Sequence, residues 1–403
     1  MIDATRIERG LGAAGLCAVL VLACNAVVQA RDWQWDFRAY YYAALAARAG
    51  LDPYDSQSIQ RVAGPADVLA YKYPPLALSA FAPLTHLDFH AARRVWLGLG
   101  AVALIALGWI VSRHVLGRVL DPFLWGVVLF AWEYVVRITI SSGNAELYVQ
   151  LAVWAAIAAL LAGRAGAFAG LATLAALPKA IAASYAVVPL ALGWRRLWPA
   201  PLAVVAASAA WFGLNALATP AWTRSWLRVA ADTTWRASEP ARAAPSLLWL
   251  VHALLGDGAA TWLVVTLVSI AVAGGAWAVL GRAQAAPAAG RVLFAVTTVT
   301  LLWPRLKDYA YLAFLPPAAW LSRDLFERGG MRRWLVVGCA GLLAGGRQIW
   351  TAEPVEQPAT AAAAAVAYMP WLLALVLWLG FAAHLTTRES TSARSRSTTY
   401  RGS

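Results

Sequence analysis

Cysteine, lysine and histidine are all scarce in this chain of 403 residues, which holds 3 cysteines and 5 histidines. Cys17, Cys24 and Cys339 each lie inside a hydrophobic run, with no CxxC pair and no histidine at ligand spacing. That excludes a disulfide framework and a zinc site, and the cysteines read as small core residues. Of the 33 basic residues, only Lys72, Lys179 and Lys307 are lysines. Charged residues make up 13% of the chain, and although the net charge is +13, the arginines stand singly or in pairs between apolar runs. Such scatter marks the ends of transmembrane helices and argues against nucleic acid as a partner. No dinucleotide fingerprint and no Walker loop occurs, so nucleotide handling is not expected. The carboxylates are isolated from one another and from histidine, so neither a dedicated metal site nor a cofactor is expected.

What the chain does have is hydrocarbon: 61% of its residues are hydrophobic and 22 are tryptophan. With a mean hydropathy of +0.61, it is too apolar for a soluble domain and too long for a simple anchor. The expected fold class is an all-α polytopic membrane protein. Arg6 and Arg9 precede the first apolar run, 10–30, and the VQA before Arg31 looks like a cleavage site. The run exceeds the roughly 7 to 15 residues of a signal-peptide core, so it is expected to stay as an uncleaved first helix.

Placing basic ends in the cytoplasm orders the crossings. Helix 1 leads outward to a first external loop, 31–90, carrying WQWDFRAYYYAALAARAG. Within it, PPLALSAFAPLTHL is too short to span a core of ~30 Å at about 1.5 Å per residue, so a re-entrant or interfacial helix is expected. Spans follow at 91–112, 121–139 and 147–162, with SSGNAE outside between the last two. Two half-length runs, 167–178 and 180–193, meet at Pro178 and Lys179 and read as a broken pair with an outward tip. A span at 199–217 leads to a second external loop, 218–258, rich in tryptophan and arginine. Further spans at 259–281, 290–303, 309–322, 333–351 and 369–385 bring the total to about twelve, both termini cytoplasmic. Residues 1–385 thus form one transmembrane domain, and 386–403 read as a disordered cytoplasmic tail.

All three lysines fall at predicted external turns, whereas Arg195, Arg196, Arg328, Arg332 and Arg333 fall at cytoplasmic ends. An arginine-rich coding bias with chance placement is one account; a compact point charge for phosphate is the other. The external set holds Asp36, Arg38, Asp52, Asp55, Lys72, Asn144, Glu146, Lys179, Arg305, Lys307 and Asp308. A carboxylate among cations at a wet face backed by lipid suits a hydroxyl losing a proton while a phosphate leaves. Glycosyl transfer from a polyprenyl-phosphate sugar has that form, and a single displacement would invert the anomeric carbon.

The stretches WDFRAYYYAALAARAGLDPYD, YKYPPLALSAFAPL, SSGNAELYVQLAVW, ALPKAIAASYAVVPLALGWRRLW and LLWPRLKDYAYLAFLPP occur in one order. In that order they resemble the bacterial membrane mannosyltransferases of glycosyltransferase family 87, over about residues 10–325. The resemblance implies a GT-C fold and transfer of a hexose, mannose above all, from a polyprenyl-phosphate donor to a glycolipid or polysaccharide acceptor. It also implies a site on the periplasmic side of a bacterial inner membrane. By the same resemblance Asp36 is the catalytic base, and Lys179 and the loop Arg305, Lys307, Asp308 and Tyr309 lie near the donor phosphate. Many relatives carry histidine in that later loop, where this chain has RLKDY.

Each candidate also has a structural reading. Asp36 could cap the helix that follows it. Tyr40, Tyr41 and Tyr42 suit an interfacial belt better than a sugar platform, although one or two could face a cavity; Tyr40 and Tyr73 join the candidate substrate contacts. Asp52 and Asp55 suit turns. Glu146 is either a second acid of the site or a solvated charge at a helix start. A lipid flippase or secondary transporter is the alternative function, disfavoured by the lack of an inverted repeat and by the minimal cytoplasmic loops.

Overall fold

The computed structural model describes residues 4–30, 33–193, 198–235, 245–328 and 367–399, and every element among them is helical. The expected span 333–351, the TAEPVEQPAT loop, Arg195, Arg196 and Cys339 lie outside the described residues.

Asp and Pro start many of the helices. After α1 (Ala4–Ala30) and α2 (Trp35–Arg48), Asp55 caps α3 (Ser56–Ala63), accepting from the Ser58 amide at 2.9 Å. PPLALSAFAPLTHL folds as two 3-10 helices, Pro75–Ala80 and Ala82–His86. Asp88 caps α4 (Phe89–Ile110), accepting from the His90 and Ala91 amides, which satisfies amides that have no partner within the helix. Asp121 does the same for α5 (Pro122–Phe130), with Pro122 in the first turn. A π-helical turn, Trp132–Val136, continues α5 into α6 (Arg137–Ser142), and Gly143 ends α6 at φ 66°. Then come α7 (Glu146–Leu161), α8 (Ala165–Ala176) and a 3-10 helix, Ala180–Leu192. The chain continues through α9 (Pro199–Ala218), α10 (Pro220–Trp235), α11 (Leu247–Leu255), α12 (Ala259–Arg282) and α13 (Ala288–Leu301). A 3-10 helix, Asp308–Phe314, runs into α14 (Leu315–Glu327), and α15 (Met369–Thr399) closes the chain. That last helix passes through 386, into the stretch expected to be disordered. The expected second external loop is helical in its described parts, as α10 and α11.

Two apolar clusters organise the molecule. The larger lies within the helix bundle; α13 is buried at every residue from Val292 to Leu301, with Phe294 packed against Trp378 and Phe381. The smaller is a cap of α2, α3 and the 3-10 helices, filled by Phe37, Tyr40, Tyr41, Tyr71 and Phe81, with Trp222 and Trp226 of α10 packed on it. Tyr40 and Tyr41 are therefore cap core and not an interfacial belt, since Phe81 and Phe89 cover their rings. The cap is hydrogen-bonded to α9 and α10. Asn215 Oδ1 accepts from the Leu76 amide at 2.8 Å, Ser225 Oγ donates to Asp52 at 2.6 Å, and Trp226 Nε1 donates to the Lys72 carbonyl at 3.0 Å.

Five helices among the described residues are long and apolar enough to cross a membrane: Thr5–Ala30, Phe89–Val115, Pro199–Ala218, Ala259–Arg282 and Met369–Thr387. Their outer faces expose Val21, Val102, Ile105, Ile270 and Trp277, a surface that water would not tolerate and lipid does. Cys17 and Cys24 also face outward on α1, not into the core as expected. Four shorter apolar helices stand beside them among the described residues; of these, α7 at 16 residues and α8 at 12 cover only about 18–24 Å each.

At the end of the bundle away from the cap, ion pairs gather the segments that the charge pattern assigns to the cytoplasm. Arg118 reaches Glu327 at 3.1 Å and Glu8 at 3.8 Å, and His384 meets Asp324 at 2.6 Å. Arg323 donates to the wholly buried Asp121 at 2.7 Å and to the Leu116 carbonyl at 3.1 Å. Replacing Arg323 with leucine strands that carboxylate, and loss of one partner of a buried pair costs about 3–5 kcal/mol. Thermal unfolding of purified Arg323→Leu should therefore show a markedly lower midpoint, and the added change Asp121→Asn should recover part of it.

Candidate active site

The turn between α6 and α7 is held from several sides. Gly143 adopts a left-handed conformation, and a Cβ there would lie 2.9 Å from Phe37 Cβ and 3.3 Å from Gln34 Cβ, so only glycine lets α2 come this close. The Gly143 carbonyl accepts from Trp96 Nε1 at 2.9 Å, and the Gln34 amide donates to the Ser141 carbonyl at 2.8 Å. Asn144 N–H donates to Ser142 Oγ at 3.2 Å, fixing the side chain that follows.

That side chain is the hub. Asn144 Nδ2 donates to Asp36 Oδ2 at 2.8 Å, and its Oδ1 accepts the Glu146 amide at 2.7 Å. Asp36 lies in the first turn of α2, which Gln34 precedes without a side-chain cap; the carboxylate thus bonds across to another element and does not cap its own helix. Glu146 is wholly buried, so the solvated reading fails: one oxygen accepts from Gln150 Nε2 at 2.7 Å and the other is ion-paired with Lys179. Lys179 sits between α8 and the Ala180–Leu192 helix, as the broken-pair pattern predicts. Its ammonium stands 5.6 Å from the ring centroid of Trp303 and 5.3 Å from that of Tyr309, where ring faces stabilise a cation.

Burial pushes the Asp36 carboxyl above its ordinary range, while the Asn144 hydrogen bond and the charges of Lys307 and Lys72 pull it back. Those opposing effects place both lysines within electrostatic reach of Asp36. Tyr309 lies within reach of Asp36, Tyr73, Glu146 and Arg305. Tyr40 and Tyr73 share a hydroxyl contact of 3.2 Å, and the Ala145 amide donates to the Tyr40 hydroxyl at 3.4 Å. Burial raises both phenols, so both remain protonated hydroxyls. Asp308 stands beside Tyr309 at the start of its 3-10 helix, half-buried. Asp52 and Asp55 serve as turn and cap residues: Asp52 Oδ1 accepts from the Tyr54 amide at 2.9 Å. Among the described residues, no three His, Cys, Asp or Glu side chains form a group that could hold a metal ion.

Sequence reasoning placed Asp36, Tyr40, Lys72, Tyr73, Asn144, Glu146, Lys179, Arg305, Lys307 and Tyr309 on one side, and the fold brings them into one neighbourhood. It missed Gln150, whose spacing of four from Glu146 on α7 was an available signal. It also missed Trp303, two residues before Arg305, and Gln34, which nothing in the sequence marks.

Residues 71–304 match glycosyltransferase family 87. The chain belongs to glycosyltransferase family 87. No curated protein and no solved structure matches it. The matched segment of this glycosyltransferase contains Lys72, Tyr73, Asn144, Glu146 and Lys179. Asp36 precedes it and is tied to it by the Asn144 hydrogen bond, and Arg305 follows it directly.

The Asn144 hydrogen bond favours the ionised form of Asp36. Its loss in Asn144→Ala raises the carboxyl further, so a reaction that needs the carboxylate should show its acid limb displaced to higher pH. A pH profile of transfer measured on both proteins checks this, and coincident acid limbs would contradict it.

Proposed function

We propose that this glycosyltransferase moves a hexose, mannose first among the choices, from a polyprenyl-phosphate donor to an acceptor hydroxyl with inversion. The acceptor is lipid-linked or a polysaccharide, and the cap faces the periplasm across a bacterial inner membrane. The observation that carries the reading is a carboxylate, Asp36, oriented by Asn144 within reach of the charges of Lys72 and Lys307. In this reading the fold is of the GT-C type, its shorter helices complete about twelve crossings, and no cofactor takes part.

The acceptor hydroxyl gives its proton to Asp36 as its oxygen bonds to the anomeric carbon. The bond from that carbon to the phosphate oxygen breaks on the opposite face, and the polyprenyl phosphate leaves with the electron pair. Lys72, Arg305 and Lys307 meet the growing phosphate charge. Lys179 is already neutralised by Glu146, and its place is the wall that the donor phosphate approaches, held against Trp303 and Tyr309. Tyr40, Tyr73, Asp308 and the Glu146–Gln150 pair complete the polar lining near the sugar. Buried phenols stay neutral and can donate to sugar oxygens without adding charge.

Purified enzyme with a polyprenyl-phosphate mannose donor and a glycolipid acceptor tests the reading. Asp36→Asn keeps the shape and the contact with Asn144 but cannot take a proton, so transfer should fall by about 10²–10⁴-fold with donor binding retained. Lys307→Gln and Lys72→Gln should instead weaken donor affinity, by about tenfold each for the loss of a charged partner. Wild-type transfer by Asp36→Asn would remove the base assignment, and unchanged donor affinity in both lysine variants would remove the phosphate site.

A further inference from the structure

An apolar cavity of about 490 Å³ lies between α1 and α4, closed behind by α5 to α7 and Leu312. Among the described residues, none of the side chains that line it is charged. Leu20, Ile105 and Trp109 border it and are also exposed on the outer surface, so it opens sideways onto the apolar face of the bundle. Its other end reaches Gln34, Gly143 and Asn144. Asn144 is the residue that bonds Asp36, so the cavity ends directly behind the candidate base.

Gln34 makes this end unusual. The side chain is wholly buried, and neither its amide nitrogen nor its amide oxygen has a hydrogen-bond partner. Leaving such a group unsatisfied is costly. The backbone at Gln34 is also left-handed, at φ 46°, and it is the one such non-glycine position among the described residues. Strain and an unsatisfied buried amide, placed together at the head of an apolar channel, mark a ligand contact.

We propose that this cavity seats the hydrocarbon chain of a neutral, hydroxyl-bearing lipid, the acceptor of the transfer proposed above, on which this assignment rests. The head group bonds to the Gln34 amide and brings its hydroxyl past Asn144 to Asp36. A phosphate-bearing lipid does not suit the cavity, because its charge would be buried against uncharged walls. Lys72, Lys179 and Lys307 do not line the cavity: Lys179 is bound to Glu146, and the other two act on Asp36. The two reactants then approach Asp36 from different sides, each matched in charge to its own wall.

Photolabelling of the full-length protein in detergent tests the assignment without requiring transfer. One probe is a long-chain alkyl glucoside with a diazirine on the chain; the other carries the same chain on a phosphate monoester. The glucoside should label α1 and α4, and unlabelled glucoside should suppress the signal. Ala101→Phe, on the partly exposed cavity wall of α4, should cut that labelling at least about tenfold, the loss expected when about two methylenes can no longer be buried. Gln34→Leu should reduce the advantage of the glucoside over the phosphate probe. Equal labelling by the two probes in the wild type, or undiminished labelling in Ala101→Phe, would overturn the assignment. Neither result would touch the transferase reading, whose fate depends on transfer by Asp36→Asn.

Discussion

One side-chain amide holds the reactive end of this molecule together. Asn144 spends its nitrogen on Asp36 and its oxygen on the first amide of α7, so one planar group joins α2 of the cap to α7 of the bundle. A carboxylate drawn out of water pays in desolvation, and here the compensation comes from a neutral donor and from the charges of Lys307 and Lys72. That balance leaves Asp36 ionisable yet basic, the state a proton acceptor needs. A direct ion pair would have made it a weaker base; in the neighbouring pair of Glu146 and Lys179, both charges are committed to each other.

Much of the rest can be read as support for the turn that carries Asn144. Gly143 permits the approach of α2, Trp96 of α4 fixes the glycine carbonyl, and Tyr40 takes the next amide. The aromatic packing of the cap then has a mechanical purpose. Phe37 lies stacked between Phe89 and Trp96, at centroid distances of 6.1 and 5.4 Å, so α2 is fixed in rotation about its own axis as well as in position.

The sequence carried the grouping of the candidate residues at one end of the helices and little of their wiring. Asp36, Lys72, Lys179 and Lys307 could be placed on one face because basic residues alternate with apolar runs, a signal that needs no tertiary structure. The break at Lys179 was legible for a similar reason, since two apolar runs too short to span meet at Pro178. The partnership of Lys179 with Glu146 depends on how α7 lies against α8, and single-sequence patterns do not encode that. Tyr40 and Tyr41 were misjudged because tyrosines beside a hydrophobic run look alike whether they face headgroups or a protein cap. Cys17 and Cys24 illustrate the same ambiguity in reverse: in a membrane protein, an apolar residue can be outside. Family membership rests on 71–304, so the likeness noticed in the flanking stretches rests on their contacts with that segment.

The hydrogen bonds that fasten α9 and α10 to the cap have a consequence for traffic. Asn215, Ser225 and Trp226 tie α9 and α10 to the cap at Leu76, Asp52 and Lys72. The cap is therefore a roof sewn to the walls at several seams. A lipid entering the cavity between α1 and α4, as proposed, passes beneath its eaves and leaves those seams unbroken.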